Sequence, residues 1–281
     1  LLNELESNSY FLINTKKNSH IDGIDSLKRV LEIFIIFFKI IRVRNRIDFF
    51  YLHVSESLFG NLRDLIIYVI LFDKIKFSTI HLHGGSIGVN VFYRFYFLKS
   101  LNRFFLKRIK NVVILGDSHK KIFEGIIPIE KCRVVNNFCE DFFFFNLNGI
   151  RFKHSYYEKV KLLYLSSMIK KKGYLNLIKS FLSLPGSVRE KFEISFAGGF
   201  ETETEEIDFL DLIRNFSNVK YFGQVSGIDK RNLLRDSHIF YLPTQYFEGQ
   251  PISILEAYAS GLIVMTSNKP GINDIFTHGI N

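Results

Sequence analysis

Two doubly wound α/β domains in tandem are predicted by three observations. Short apolar runs of strand length alternate with longer segments of helical period, the signature of βα units around a parallel sheet. The alternation occurs once in each half of the chain. The length, 281 residues, is enough for two domains at roughly 100–200 residues each. A hydrophobic content of 47% with 23% charged residues provides for a buried core and excludes wholesale disorder.

In the first half, runs rich in β-branched and aromatic residues predict strands at 10–13 (YFLI), 49–53 (FFYLH), 78–82 (STIHL), 112–115 (VVIL) and 132–135 (CRVV). Helical period predicts helices over 24–41, 58–71 and 119–124. In the second half the predicted strands are 161–165 (KLLYL), 193–196 (EISF), 220–222 (KYF), 239–242 (IFYL) and 262–266 (LIVMT). Helices are expected at 173–182, 205–215, 230–235 and 251–260. Residues 140–160 fit neither period and precede a fresh strand. The expected domains are therefore 1–145 and 161–281, joined by a linker at 146–160. The aromatic run from Phe142 to Phe145 is expected to pack between the domains, with a membrane-docking wedge as the alternative. Such folds bind ligands at the carboxyl ends of their strands, which predicts a cleft between the domains.

Composition narrows the function classes. Cys132 and Cys139 are too few for a disulfide scaffold, and their C-x6-C spacing matches no zinc module, so they read as reduced thiols of a cytoplasmic protein. The most apolar runs, 31–38 and 65–72, fall short of the ~20 residues of a spanning helix. Met168 and Met265 are the only methionines, so the chain is expected to begin mid-protein. Of the net charge of +9, residues 1–150 carry +7. A basic half suits nucleic acid, an anionic membrane or a phosphorylated substrate, and equally a lysine-rich surface of biased composition. No nucleic-acid module is present, so no nucleic-acid partner is expected.

The densest chemistry lies at 242–261, LPTQYFEGQPISILEAYASG. Pro251 suits the first helical turn and Gly261 the left-handed stop. The backbone amides from Gly249 through Gln250 and Ile252 to Ser253 would form a helix N-terminus, a natural phosphate site. Glu248 and Glu256 flank it. Carboxylates in contact with a phosphate would repel it, so both are better employed accepting hydrogen bonds from sugar hydroxyls.

EGQPISILEA, with its E-x7-E spacing, resembles the signature of the retaining family-4 glycosyltransferases of GT-B fold. Other segments agree: LYLSSMIKKKG at 163–173, ending in Lys172-Gly173; ISFAGG at 194–199; VKYFGQV at 219–225, ending at Val225; TSNKPGINDI at 266–275; and His83-Gly84-Gly85 after a strand. The resemblance implies two Rossmann-like domains facing a cleft, the first on the acceptor side and the second binding the donor. It implies transfer of a sugar, with retention, from a nucleotide-sugar to a glycan or polyprenyl-linked acceptor in surface polysaccharide biosynthesis. Lys172 and the amides near Gly249 would stabilise the departing diphosphate, and His83 would sit near the transferred sugar. Glu248 would position sugar hydroxyls, and Glu256 the ribose. Where the family usually has Gly-Arg, this chain has Ser166-Ser167, losing a bidentate phosphate donor. A non-catalytic sugar-nucleotide or membrane-binding relative is the alternative function.

No cofactor is expected, and the lack of an Asp-x-Asp triad argues for a metal-independent site. His81 and His83 point to one side of a strand, but the sequence offers no third ligand beside them. The basic first half predicts peripheral contact with the inner face of the cell membrane. The resemblance also places the first helix's end at residues 1–7, with the first strand upstream and a C-terminal helix beyond Asn281. The chain is thus expected to be truncated at both ends, to lack the middle strand of its first sheet, and to be unstable or inactive alone.

Overall fold

The computed structural model describes residues 10–14, 26–155, 157–277 and 279, with only the backbone of 26–30. The contacts divide the chain into two compact units. The first comprises Leu1–Leu82, Ser86–Val113 and Ile122–Arg133, and the second His83–Gly85, Ile114–Lys121 and Val134–Asn281. The division therefore falls at Val134, not in the segment 146–160, and two loops after strands of the first sheet belong to the second unit.

In the first unit the chain runs through α1 (Ser26–Val43), β1 (Tyr51–His53), α2 (Leu58–Ile70), β2 (Thr79–Leu82), α3 (Tyr96–Leu106), β3 (Asn111–Ile114) and β4 (Cys132–Val134). Ser57 starts α2 by accepting a hydrogen bond from the Gly60 amide at 3.2 Å. The strands form one sheet in chain order, β1-β2-β3-β4, with β1 parallel to β2. The expected gap in the middle of this sheet is not there, since Leu52 pairs directly with Ile80. Residues 10–13 are not a strand, and the expected helix at 119–124 is part of a 3-10 run, Asp117–Phe123. The helix-end reading of residues 1–7 lies outside the described residues.

Tyr68, Ile80, Leu82, Phe92 and Val112 are fully buried in this unit. Between α2 and α3 a buried amide pair satisfies both partners: Asn61 donates to Asn102 at 3.1 Å and Asn102 donates back at 2.9 Å. The opposite faces of the first two helices are not covered. Leu31, Phe34, Ile35, Phe38 and Ile41 of α1 recur at helical spacing and are exposed, as are Phe59, Leu62, Ile66 and Val69 of α2. Among the described residues no helix is long and apolar enough to cross a membrane.

The second unit adds α4 (Leu147–Ser155), β5 (Val160–Leu165), α5 (Tyr174–Leu182), α6 (Gly186–Arg189), β6 (Phe192–Ala197), α7 (Glu203–Ile213), β7 (Val219–Tyr221), α8 (Gly227–Asp236), β8 (Ile239–Leu242), α9 (Ile252–Ala259), β9 (Ile263–Thr266) and α10 (Pro270–Asn273). Its sheet has the order β7-β6-β5-β8-β9, all parallel. That order is doubly wound, with its switch point between β5 and β8. Both faces of β5 are covered by helices, which is why Leu163, Tyr164 and Leu165 are buried in succession instead of alternating.

The segment expected to be an irregular linker contains α4. Asn146 caps it by accepting from the Gly149 amide at 2.7 Å. Lys153 anchors it, donating to the Ser260 carbonyl at 2.8 Å and the Leu234 carbonyl at 3.3 Å. The preceding aromatic run packs within the second unit: Phe143 joins its core, while the Arg231 guanidinium lies 4.9 Å over Phe142 and 4.6 Å over Phe145.

Candidate functional site

Ser167 and Lys172 follow the carboxyl end of β5, Glu248 to Glu256 follow that of β8, Val225 follows β7, and His83 follows β2. Ladder pairing between β5 and β6 continues beyond the strands, Ser166 donating to Ala197 at 3.1 Å and Met168 to Gly199 at 2.9 Å. Gly198, at φ 151°, permits this, because a Cβ there would lie 1.8 Å from the Ser166 carbonyl oxygen. Ser167 is exposed at the tip of this loop, and its carbonyl accepts from the buried Tyr164 phenol at 3.0 Å. Burial pushes that phenol's pKa far up.

A 3-10 turn, Lys170–Lys172, follows, and Gly173 turns left-handed at φ 89° to start α5. A Cβ on Gly173 would meet Pro243 at 2.5 Å. The Lys-Gly pair thus brings the loop after β5 against the loop after β8. There the Lys172 ammonium lies 3.3 Å from the Glu248 carboxylate, with both side chains largely buried at 17% and 9% exposure. Thr244, fully buried, donates to the same Glu248 oxygen at 2.9 Å. Lys170 does not share this role, being paired with Glu205 at 2.9 Å.

Three backbone segments then stack with almost no space between them. A Cβ on Gly249 would fall 2.0 Å from the His83 carbonyl oxygen, and one on Gly271 would fall 1.6 Å from the Gly249 carbonyl oxygen. A Cβ on Gly85 would lie 3.7 Å from the Glu248 carbonyl oxygen, an ordinary contact. His83, exposed, is thereby placed beside Glu248 and Gly249 within the second unit. Asp274 pins the next loop, accepting from the Ser118 hydroxyl at 2.6 Å and the Ser118 amide at 3.1 Å.

Pro251 caps α9 instead of occupying its first turn, so Ile252 and Ser253 open the helix. Gly261, at φ 70°, is the left-handed stop, and Leu262 donates back to the Ala257 carbonyl at 3.0 Å. The side chain of Gln250, expected at the donor, is buried in a tie to two other loops. It donates to the Leu115 carbonyl at 2.5 Å and accepts from the Asn137 amide at 2.8 Å. Val225 is half-buried against the core of this unit. Glu256, at 4% exposure, is paired with Lys230 of α8. A hollow of about 740 Å³ lined by Phe152, Lys153, Lys161, Arg235 and His238 opens at the amino ends of β5 and β8, away from all of these residues.

Sequence reasoning assigned no role to Thr244, Asn137, Asp274 or Lys230, although Thr244 and Asp274 lie inside the segments 242–261 and 266–275. It also passed over His53. In the first sheet His53 is the register partner of His81, and their rings stack with centroids 5.6 Å apart, so His81 has a histidine neighbour that spacing alone does not reveal.

Comparison with known proteins bears on these features. Residues 149–281 match the family model of glycosyl transferases group 1. An uncharacterized glycosyltransferase of Methanocaldococcus jannaschii is 23% identical over 75% of this chain. The chain spans 56% of that relative's length. Among solved structures, Anabaena HepE in complex with UDP-glucose aligns with a TM-score of 0.67 and 17% identity, covering 88% of this chain and 66% of that one. WaaG, a glycosyltransferase involved in lipopolysaccharide biosynthesis, aligns at 0.56 and 18%, covering 78% and 68%. The parallel α/β fold is the one these GT-B glycosyltransferases share. The E-x7-E spacing of Glu248 and Glu256, around the start of α9, lies inside the segment that matches the glycosyl transferases group 1 model.

Proposed function

We propose that the protein transfers a sugar from a nucleotide-sugar donor to a hydroxyl of a glycan or lipid-linked acceptor, with retention and without a metal ion. The observation that carries this reading is the Lys172–Glu248–Thr244 cluster beside the amides that open α9. Charge builds on the diphosphate as it leaves. A fixed ammonium and free helix amides stabilise that charge with no reorganisation at the moment of reaction. Glu248 is held by Lys172 and Thr244 and keeps lone pairs for the hydroxyls of the transferred sugar. His83 borders the same cluster. The lack of an Asp-x-Asp triad supports metal independence.

A panel of nucleotide-sugars, beginning with UDP-glucose because HepE is solved with it, tests the reading. Turnover or binding of at least one donor is expected, and inert behaviour towards all of them overturns it. Ser166-Ser167 in place of Gly-Arg favours a second reading, a non-catalytic relative. Ser167→Arg separates the two. It is expected to tighten donor binding by about tenfold, the worth of one charge-assisted bidentate contact, and to raise turnover. A non-catalytic protein stays inert.

Surface polysaccharide synthesis at the inner face of the cell membrane is the proposed setting. WaaG's role supports it, as do the exposed apolar stripes of α1 and α2, rimmed by exposed Lys39, Arg42 and Arg46. Such a surface suits an anionic headgroup layer. The protein is expected to sediment with vesicles containing about a third anionic lipid and to be released by salt. Phe34→Glu with Phe38→Glu is expected to abolish that sedimentation without changing donor binding.

A further inference from the structure

We propose that Lys230 is a positioning residue of the donor site, holding the Glu256 carboxylate in place for the vicinal hydroxyls of the donor ribose. The inference rests on the proposed function, which places Glu256 at the ribose, and it assigns Lys230 a task no sequence motif indicates.

Glu256 lies on the buried face of α9, where an isolated carboxylate is costly. Lys230, in the first turns of α8, is 26 residues away in sequence, yet its ammonium sits 2.6 Å from each carboxylate oxygen. Only Oε1 accepts a hydrogen bond from that ammonium; Oε2, buried beside it, has no hydrogen-bond partner among the described residues. The bond to Oε1 holds the carboxylate in place, and Oε2 keeps its lone pairs for a hydroxyl donor. Lys230 is itself held by aromatic packing, its ammonium 5.1 Å from the Phe143 ring centroid. Phe143 is fixed in turn, because the Ser260 hydroxyl donates to its carbonyl at 3.0 Å. Glu256, Lys230, Phe143 and Ser260 are thus linked by successive contacts.

Burial raises the Glu256 pKa and Lys230 opposes that rise. The other charged or titratable groups facing it are Glu140, which raises it further, and Cys139 on the same preceding segment. The Cys139 thiol is pushed up to about 11 by burial and by Glu256. Lys230 is therefore the one cation among these groups. Without it the carboxyl takes up a proton at higher pH and loses part of its ability to accept from a hydroxyl.

The test measures binding of UDP, or of the diphosphate of whichever donor the wild-type chain takes, between pH 5 and 8. The 2′,3′-dideoxy analogue is the second ligand. Lys230→Met is expected to weaken binding about tenfold or more at pH 7 and to move the acid limb of the pH profile upward. Lys230→Arg is expected to restore both. The dideoxy analogue is expected to bind wild type and Lys230→Met alike. A pair that only ties α8 to α9 would lower the melting temperature of Lys230→Met and leave affinity and pH profile unchanged; that result overturns the inference alone. Should Lys230→Met not fold, Lys230→Gln and the wild-type comparison of UDP with its dideoxy analogue decide. Equal affinity for the two ligands overturns the inference. A wild-type chain that binds no nucleotide-sugar overturns the proposed function, and the inference with it.

Discussion

Lys172→Met is expected to lower sugar transfer by about 100- to 1000-fold, the loss typical when one preorganised donor to a developing charge is removed. The loss should fall mainly on kcat. In the proposed reaction the ammonium would meet a diphosphate that gains charge as the glycosidic bond breaks, so its contribution would grow from ground state to transition state. The same variant leaves Glu248 largely buried with Thr244 as its remaining partner. Uncompensated burial of a carboxylate destabilises, by about 1–3 kcal/mol for a group that keeps one hydrogen bond. Activity and stability are therefore both expected to fall, and a second substitution separates them. In Lys172→Met with Glu248→Gln the site is neutral and Thr244 still has an acceptor. Thermal unfolding of the double variant should recover most of the lost stability, while transfer stays at or below the single variant's rate. Recovery of transfer together with stability would mean that Lys172 only neutralises Glu248 and does not act on the leaving group.

The strands of the second unit were legible to within one residue at each end, although α4, α6 and α10 were not predicted, and the first unit was less legible. β8 lies where IFYL predicts it, and the strand at β5 differs by one residue from the expected 161–165. In that unit apolar runs of four to six residues are separated by glycine, proline or acidic clusters, so length and punctuation both mark the elements. The first half is written in phenylalanine and isoleucine throughout, which blurs period 2 and period 3.6 together. The sequence YFLKSLNRFFL is α3 and was not singled out, whereas YFLI at 10–13 has strand composition and no strand partner among the described residues. The site divides in the same way. Glu248 and Lys172 stand in motifs beside Gly249 and Gly173, and Glu256 stands eight residues after Glu248 in the same segment. Thr244, Lys230 and Asp274 act through partners 4, 26 and 156 residues away. The two longer separations have no local pattern, since the sheet order, not the chain, brings the partners together.

Gly271→Ala is expected to be the most disruptive single-methyl change at the site. Its Cβ would lie 1.6 Å from the Gly249 carbonyl oxygen and 2.7 Å from that of Glu248. Both obstacles are backbone, so no side chain can rotate away. Gly249, in turn, has little room to retreat, because a Cβ on it would lie 2.0 Å from the His83 carbonyl oxygen. The strain is therefore passed to the loop carrying Glu248. Overpacking of this kind costs about 1–3 kcal/mol when neighbours can shift, and more when they cannot. Unfolding by denaturant should place Gly271→Ala at or above the top of that range, with donor binding weakened because Glu248 moves relative to Lys172. Two other glycines calibrate the claim. Gly223 adopts φ 66° with open space around it, so alanine there costs only the left-handed strain, about 1–2 kcal/mol, and leaves donor binding intact. Gly186 has ordinary φ at the start of α6 and nothing nearer than 4.0 Å, so alanine there should be neutral or slightly stabilising. Gly249→Ala and Gly271→Ala combined should cost less than their sum, because the first displacement opens the gap that the second needs. Strict additivity would show that the three segments are not in contact, and would remove the mechanical link between His83 and Glu248.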